Sequence, residues 1–296
     1  MSQALTYTLT LIAPRAAALS PGILAAIRDA VGGGTITILS PGEAADLTLP
    51  SPPNLATVRA ALGTSPIDAI AQPTVPRRKR LLLADMDSTI VTSETLDELA
   101  DFAGLKPRIA AITARAMNGE LDFKSALRER VAMLRGLPVT ALEQTWQRVQ
   151  LTPGAAELVA TMRANGATTA LVSGGFTFFT GRVAALVDFH LHRSNQLLDD
   201  GIALTGSIAE PILDRDSKLA TLHELAARDG LDLAATLAVG DGANDLDMLR
   251  AAGLGVAFHA KPIVAAEASA RVDHADLRAV LFAQGYHASQ FVGGSR

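Results

Sequence analysis

Residues 81–91, LLLADMDSTIV, are apolar almost without a break until two acids one residue apart, Asp85 and Asp87. Apolar residues resume at Ile90 and Val91. A continuous apolar run of this length reads as a strand buried on both faces. Two more such runs follow, TTALVS (168–173) and TLAVGD (236–241), with LGVAF (254–258) and RVD (271–273) as weaker strands. The segments between them repeat apolar positions at helical spacing. Together they predict an α/β fold: a doubly wound, parallel, Rossmann-like sheet with helices on both faces. Such sheets bind ligands beyond the carboxyl ends of their strands. The first three strands each end there in a polar residue: Asp85, Ser173 and Asp241.

Roughly 80 residues separate the first strand from the second, more than one crossover helix requires. Four stretches among them have amphipathic helical spacing, SETLDELADFAG, KPRIAAITARAMNG, FKSALRERVAMLRG and TALEQTWQRV. They predict a helical cap over about 92–152, set above the strand ends as a lid. A second insertion, 187–213, contains LLDDGIALTG and predicts a hairpin.

Residues 1–75 form a small α/β unit of their own. LTYTLTLI (5–12) alternates like a strand, and PGILAAIRDAVGGG (21–34) reads as a helix with a glycine stop. TITIL (35–39) is a further strand and VRAALG (58–63) a short helix. AQPTVPRRKR (71–80) reads as a linker whose Arg77–Arg80 run is a solvated charge cluster rather than an anion patch. The main domain then covers 76–283, and 284–296 is expected to be a frayed or accessory tail.

Of the 296 residues, 49% are hydrophobic and 19% charged, enough to bury a substantial core. With 26 basic and 30 acidic residues the net charge is −4, which draws the chain neither to nucleic acid nor to acidic membranes. The absence of cysteine excludes disulfides, thiolate zinc sites and cysteine nucleophiles, and fits a reducing compartment. No basic region leads into an unbroken apolar core at the N-terminus, as a signal peptide would require. The uncharged run 164–181 carries four glycines and makes a poor membrane span. These features predict a soluble, cytoplasmic protein.

Asp85 and Asp87 sit on the turn after a buried strand, where alternation could bring both to one site. Close carboxylates repel, so they tend to be separated by a cation, a proton or different roles. An Asp turn with a helix cap is the structural alternative. Further along, LVSGGF (171–176) places a hydroxyl before two glycines whose amides can approach an oxyanion. Lys218 lies near a helix start in DRDSKLATLHEL. AVGDGANDLDML (238–249) gathers acids at 241, 245 and 247 around Gly242 and Asn244. Hard oxygen ligands at a strand end suit Mg²⁺, which takes one or two carboxylates plus phosphate and water. An Asx-rich helix cap explains one of those acids better than three. His190 and His192 share a strand-face spacing but read as ordinary strand residues.

In that order, DMDST (85–89), Ser173–Gly174–Gly175, Lys218 and GDGAND (240–245) resemble the four-motif signature of haloacid-dehalogenase-like phosphohydrolases. DMDSTIVTSE and MNGELDFKSALRERVAMLRGLP (117–138) resemble the phosphoserine phosphatase branch of that family. The resemblance covers about 80–283. Related bacterial enzymes often carry an amino-acid-sensing, ferredoxin-like unit before it, and the pattern of residues 1–75 permits one.

The resemblance implies that Asp85 is a nucleophile forming an aspartyl-phosphate and that Asp87 is the general acid, then base. It implies Mg²⁺ held by Asp85, the Asp87 carbonyl and Asp241. Lys218, Ser173, Gly174 and Gly175 would hold the phosphoryl group, and Asn244 and Asp245 would orient the metal shell and Lys218. In the cap, Glu94 would meet a substrate ammonium and Arg130 a carboxylate, with Met117 and Phe123 as apolar walls. The implied substrate is O-phosphoserine, with no nucleic-acid or membrane partner. The rivals are another small-molecule phosphomonoesterase, a phosphotransferase to an acceptor such as homoserine, and a silent amino-acid-binding regulator. Residues 1–75 leave serine binding, a homodimer contact and support of the body all open.

Overall fold

The computed structural model describes residues 6–15, 19–117 and 121–293. Residues before the main sheet build four strands, β1 (Tyr7–Ile12), β2 (Thr35–Ser40), β3 (Ala44–Leu49) and β4 (Asp68–Pro73). Helix Pro21–Ala30 joins β1 to β2, and helix Leu55–Leu62 joins β3 to β4. The sheet order is β2-β3-β1-β4 with every pair antiparallel, the ferredoxin-like arrangement. Alternation along β1 sends Leu9 and Leu11 under the helices, against Leu24, Ile27, Val58 and Leu62. Thr8 and Thr10 face the other way and are buried as well.

That second face corrects three sequence expectations. First, β3 and β4 escaped the apolar pattern: AADLTL is interrupted by Asp46, and β4 ends on a proline in the stretch read as linker. Proline is tolerated there because β4 is an edge strand. Second, Arg77 is not a solvated linker charge. Its guanidinium meets both oxygens of Asp46 at 2.5 and 2.7 Å, and also donates to Thr10 and to the carbonyls of Phe282 and Ala283. Lys79 is 5% exposed, its ammonium donates to the Pro76 and Ala234 carbonyls, and burial lowers its pKa to about 8. Third, residues 284–293 are not frayed. Tyr286 is 1% exposed and carries the Arg78 guanidinium 4.2 Å from its ring centre. Partners distant in the chain, not local pattern, decide all three.

The main sheet draws on β5 (Leu81–Ala84), β6 (Thr168–Phe176), β7 (Leu191–Asn195), β10 (Thr236–Gly240), β11 (Leu254–Phe258) and β12 (Ala270–Val272). Between β7 and β10 in the chain, β8 (Leu197–Asp199) and β9 (Leu204–Ile208) form the expected hairpin. The six strands are parallel in the order β12-β11-β10-β5-β6-β7. On one face Leu81, Leu83, Val172 and Ala238 pack on Leu222, Leu225 and Ala226 of helix Arg215–Arg228. On the other, Leu82, Leu171, Leu237 and Val239 join Leu158, Val159 and Met162 of helix Ala155–Ala164. The strand read as RVD is paired to β11.

The long insertion after β5 holds helices Thr95–Phe102, Lys106–Met117, Phe123–Ala132 and Thr140–Trp146. The hairpin is tied to it: Gly136 and Val139 donate to the carbonyls of Leu204 and Ile202. Among the described residues no helix is long and apolar enough to cross a membrane.

Removing one partner of a buried ion pair strands the other in a medium that solvates charge poorly. Arg77→Ala is therefore expected to lower unfolding free energy by about 3–5 kcal/mol, read from the urea midpoint at unchanged slope. A midpoint equal to that of the parent would refute the structural role of this pair.

Candidate active site

Strand β5 delivers Asp85 to the carboxyl edge of the sheet. The Asp85 amide still donates to Val239 at 3.0 Å, as in the ladder, and its Oδ1 accepts the Met86 amide at 2.7 Å. The chain then makes a wide turn, Met86–Ile90, closed by the Val91 amide on the Met86 carbonyl, with Asp87 extended and Ser88 at φ +54°. This turn, rather than simple strand alternation, brings Asp87 to the same cavity as Asp85. Asp87 Oδ1 accepts the amide of Thr95, the first residue of a cap helix, at 3.0 Å. Burial, reinforced by the charges of Glu94 and Asp85, holds the Asp87 carboxyl well above the usual carboxylate range. A carboxyl raised in this way holds a proton more readily than an ordinary one and is better placed to donate it.

From the neighbouring strand β10 come Asp241 and, one short turn on, Asp245. A β-carbon on Gly240 would lie 2.4 Å from the Asp245 carboxyl, so only glycine lets that side chain fold under the strand. Lys218 arrives from helix Arg215–Arg228, whose start is capped by Asp214 and Ser217. It is 2% exposed, and its ammonium meets Asp85 Oδ2 at 2.7 Å and Asp245 Oδ1 at 2.6 Å. Burial opposes the ammonium, but Asp245 and Asp85 outweigh it and raise the Lys218 pKa. The other Asp245 oxygen accepts the Gly242 amide at 3.0 Å.

Oxygens of Asp85, Asp241 and Asp245 lie within 4.8 Å of one another. Burial, then the charge of Asp85, pushes Asp241 up to about 6 and also raises Asp245. Crowded hard oxygens whose ionised forms are this disfavoured fit a divalent cation, which would relieve the repulsion. The carboxylate of Asp87 lies outside the group; the expectation for it concerned its backbone carbonyl.

A cavity of about 280 Å³ opens over these groups. It brings together Asp85, Asp87, Glu94, Phe123, Arg130, Ser173, Gly174, Gly175, Asp241 and Asn244. The Ser173 hydroxyl accepts the Gly175 amide at 2.9 Å, which leaves its own proton to donate. Phe123 lies over the glycines, 3.2 Å from where a Gly174 β-carbon would be. Arg130 is braced by the Ala126 carbonyl and the Thr113 hydroxyl, both at 3.2 Å, and Glu94 by the Ser88 hydroxyl at 2.8 Å. Met117 ends a cap helix, and its side chain lies outside the described residues.

Sequence reasoning missed Arg215 and Lys261, which also line the cavity, and Asn195 behind it. Asn195 donates to the carbonyls of Gly174 and Leu213 and accepts the Leu213 amide. Lys261 follows the end of β11, the same sheet edge that made Asp241 conspicuous, so its place beyond a strand could have found it. Nothing in the local pattern marks Asn195.

Strand-end carboxylates, a buried lysine and a helical cap are thus assembled on a doubly wound α/β fold of the hydrolase type. The family model of haloacid dehalogenase-like hydrolases matches residues 82–250, and the chain belongs to that family. Within it, the phosphoserine phosphatase of Archaeoglobus fulgidus is 44% identical over 200 residues, 67% of this chain and 58% of that protein. That of Streptococcus thermophilus is 45% identical over 204 residues, 69% of this chain and 94% of that protein. A solved structure of a probable phosphoserine phosphatase from Vibrio cholerae, unliganded, is similar with TM-score 0.78 at 32% identity, covering 97% of this chain and 88% of that one. The chain spans 51–58% of the length of the first curated relatives it matches.

A carboxyl whose folded pKa is raised favours the folded state at low pH, and that contribution is lost as pH rises through the folded value. For Asp241 the window runs from its ordinary value of 3.8 to about 6. In chelator-treated protein Asp241→Asn should therefore stabilise by roughly 1–3 kcal/mol at pH 8 and by little at pH 4. Denaturant unfolding at both pH values tests this, and equal effects at the two would sink it.

Proposed function

We propose that this chain is a Mg²⁺-dependent phosphatase that hydrolyses O-phosphoserine to serine and phosphate. The observation that carries the reading is a single cavity with phosphoryl-transfer groups on its sheet side and a carboxylate–guanidinium pair, Glu94 and Arg130, on its cap side. Phosphoserine has the matching layout: a phosphate, then an ammonium and a carboxylate. The printed names of the relatives support the same substrate.

Asp85 attacks phosphorus, forming an O–P bond as the bond from phosphorus to the serine oxygen breaks. Asp87 gives its proton to the departing serine oxygen. Now a carboxylate, Asp87 takes a proton from water as that water attacks phosphorus and the bond to Asp85 breaks. Asp85 is then a free carboxylate again, and Asp87 again carries its proton. Lys218, the Ser173 hydroxyl, the Gly174 amide and Asn244 hold the phosphoryl oxygens while charge spreads over them. Asp245 anchors Lys218. Asp85, Asp241 and the Asp87 carbonyl would hold Mg²⁺, with Asp245 behind them, and the bound ion supplies positive charge to the phosphoryl group. Arg130 grips the substrate carboxylate bidentately and Glu94 its ammonium, while Phe123 keeps water from the glycine loop. Serine release would make this the last step of serine biosynthesis in the cytoplasm.

Phosphate release from a panel of phosphomonoesters tests the chemistry. Asp85→Asn is expected to abolish turnover, and Asp87→Asn to lower kcat about 10²–10⁴-fold. Near-parent rates in either variant remove that residue from the mechanism.

Recognition is tested separately. Arg130→Ala should raise KM for phosphoserine far more than for an ester lacking a carboxylate. Equal losses on both esters would discard the cap assignment and leave the phosphatase chemistry in place.

A further inference from the structure

The N-terminal unit and the main sheet meet at a buried carboxylate. Asp68 opens β4 and is 3% exposed. Its two oxygens accept the backbone N–H groups of Asp273, His274 and Ala275 at 2.8–3.3 Å. These three residues directly follow β12. Ala275 in turn offers its carbonyl to the Nε2–H of His259 at 2.8 Å, and the His259 amide donates to Val272 at 2.8 Å. His259 sits at φ +43°, a left-handed conformation that a residue with a β-carbon keeps only where its surroundings impose it. Two residues on, the Lys261 amide donates to the Asp241 carbonyl at 3.1 Å, and its ammonium stands 3.8 Å from Asp241 Oδ2.

We propose that Asp68 and His259 are positioning residues for the cavity: through loop 273–275 they fix the turn 259–261, and with it the seat of Asp241. The path runs by hydrogen bonds from Asp68 to the 273–275 amides and from the Ala275 carbonyl to the His259 ring, then along the chain to Lys261, whose amide donates to the Asp241 carbonyl. Asp68 is taken up by three amides, so it pins the loop rather than a solvent-facing cation. The loop pins the imidazole, and the imidazole keeps the turn in a backbone state it would otherwise leave. A relaxed turn loses the Lys261 bond to the Asp241 carbonyl. On this account the N-terminal unit is part of what shapes the catalytic centre, although none of its described residues lines that cavity.

The test uses the full-length chain with His259→Ala, His259→Gln and Asp68→Ala. Hydrogen exchange is followed over 254–261, with 81–91 as the internal control. Exchange over 254–261 should accelerate at least tenfold in His259→Ala and Asp68→Ala while the control segment keeps its protection. His259→Gln should restore protection, because its amide can donate to Ala275 and shares the β-carbon strain of the alanine variant. Calorimetric titration with Mg²⁺ should show affinity weakened about tenfold in the two alanine variants.

Exchange at the parent rate in His259→Ala overturns the proposal, and this holds even where Asp68→Ala fails to fold. Altered exchange with parent Mg²⁺ affinity overturns its extension to Asp241. The inference rests on the metal reading only for that second arm. A parent protein that binds no Mg²⁺ would refute the functional reading, while the exchange arm still decides the positioning role.

Discussion

Lys218 carries one positive charge into a pocket that holds Asp85, Asp241 and Asp245, and that imbalance governs the rest of the centre. Moving a carboxylate out of water costs several kcal/mol even after the surroundings relax. One ammonium can satisfy two of these acids, and here it does, at 2.6 and 2.7 Å. Asp241 is left with a threonine hydroxyl at 3.3 Å and a half-exposed lysine at 3.8 Å, contacts too weak to settle a buried charge. The site is therefore built to remain short of positive charge until ligands arrive. On the proposed reading a divalent cation would supply it from one side, and the cation, Lys218 and the Ser173–Gly174–Gly175 loop would share the oxygens of a phosphoryl group. Asp87 meets the conflict differently: burial, then the charges of Glu94 and Asp85, raise its carboxyl well above the usual range, which favours the protonated form that the proposed general acid needs.

Backbone geometry makes this crowding feasible. Asp245 folds under β10 only because Gly240 has no side chain, and Asp85 is aimed by a strand whose ladder persists up to its own amide. These rigid supports belong to the main sheet. The parts proposed to sort substrates belong to the cap, where Arg130 is braced by a helix carbonyl and a threonine hydroxyl. On that reading phosphoryl chemistry and recognition rest on separate elements that share one cavity, so either can change without dismantling the other.

The main sheet was legible because its strands are nearly unbroken apolar runs and because acids at their ends interrupt an otherwise uniform pattern. Asp85, Ser173 and Asp241 stood out for that reason, and the cap helices through their amphipathic spacing. What stayed hidden depends on partners far away in the chain. Asp46 looks like a strand breaker until Arg77 is placed against it, and Arg77 looks like a solvated charge until Asp46 is. Asn195 joins the glycine loop to the segment before helix Arg215–Arg228 through three bonds that no window of sequence contains. Lys261 was overlooked for a weaker reason: its strand was identified, but only acids and hydroxyls were sought at strand ends.

The junction between the two units explains why so many of the missed residues are polar. The face that the N-terminal sheet turns to the body buries Thr8, Thr10, Asp46 and Gln72. Gln72 donates to the Ala283 carbonyl at 2.6 Å, and Arg77 ties Asp46 to the same turn of chain. An apolar interface tolerates sliding, because dispersion and burial change little with a small shift. A hydrogen-bonded one does not: displacement by an ångström or two leaves buried donors and acceptors unpaired, each at a cost of about 1–3 kcal/mol. The polar groups on this face, set among Ile12, Ala44 and Ile70 of the shared core, therefore select one docking of the small sheet on the large one. That single docking also brings Asp68, at the end of an edge strand, up to the loop beyond β12. A sheet held only by greasy contact could not place one carboxylate on three amides.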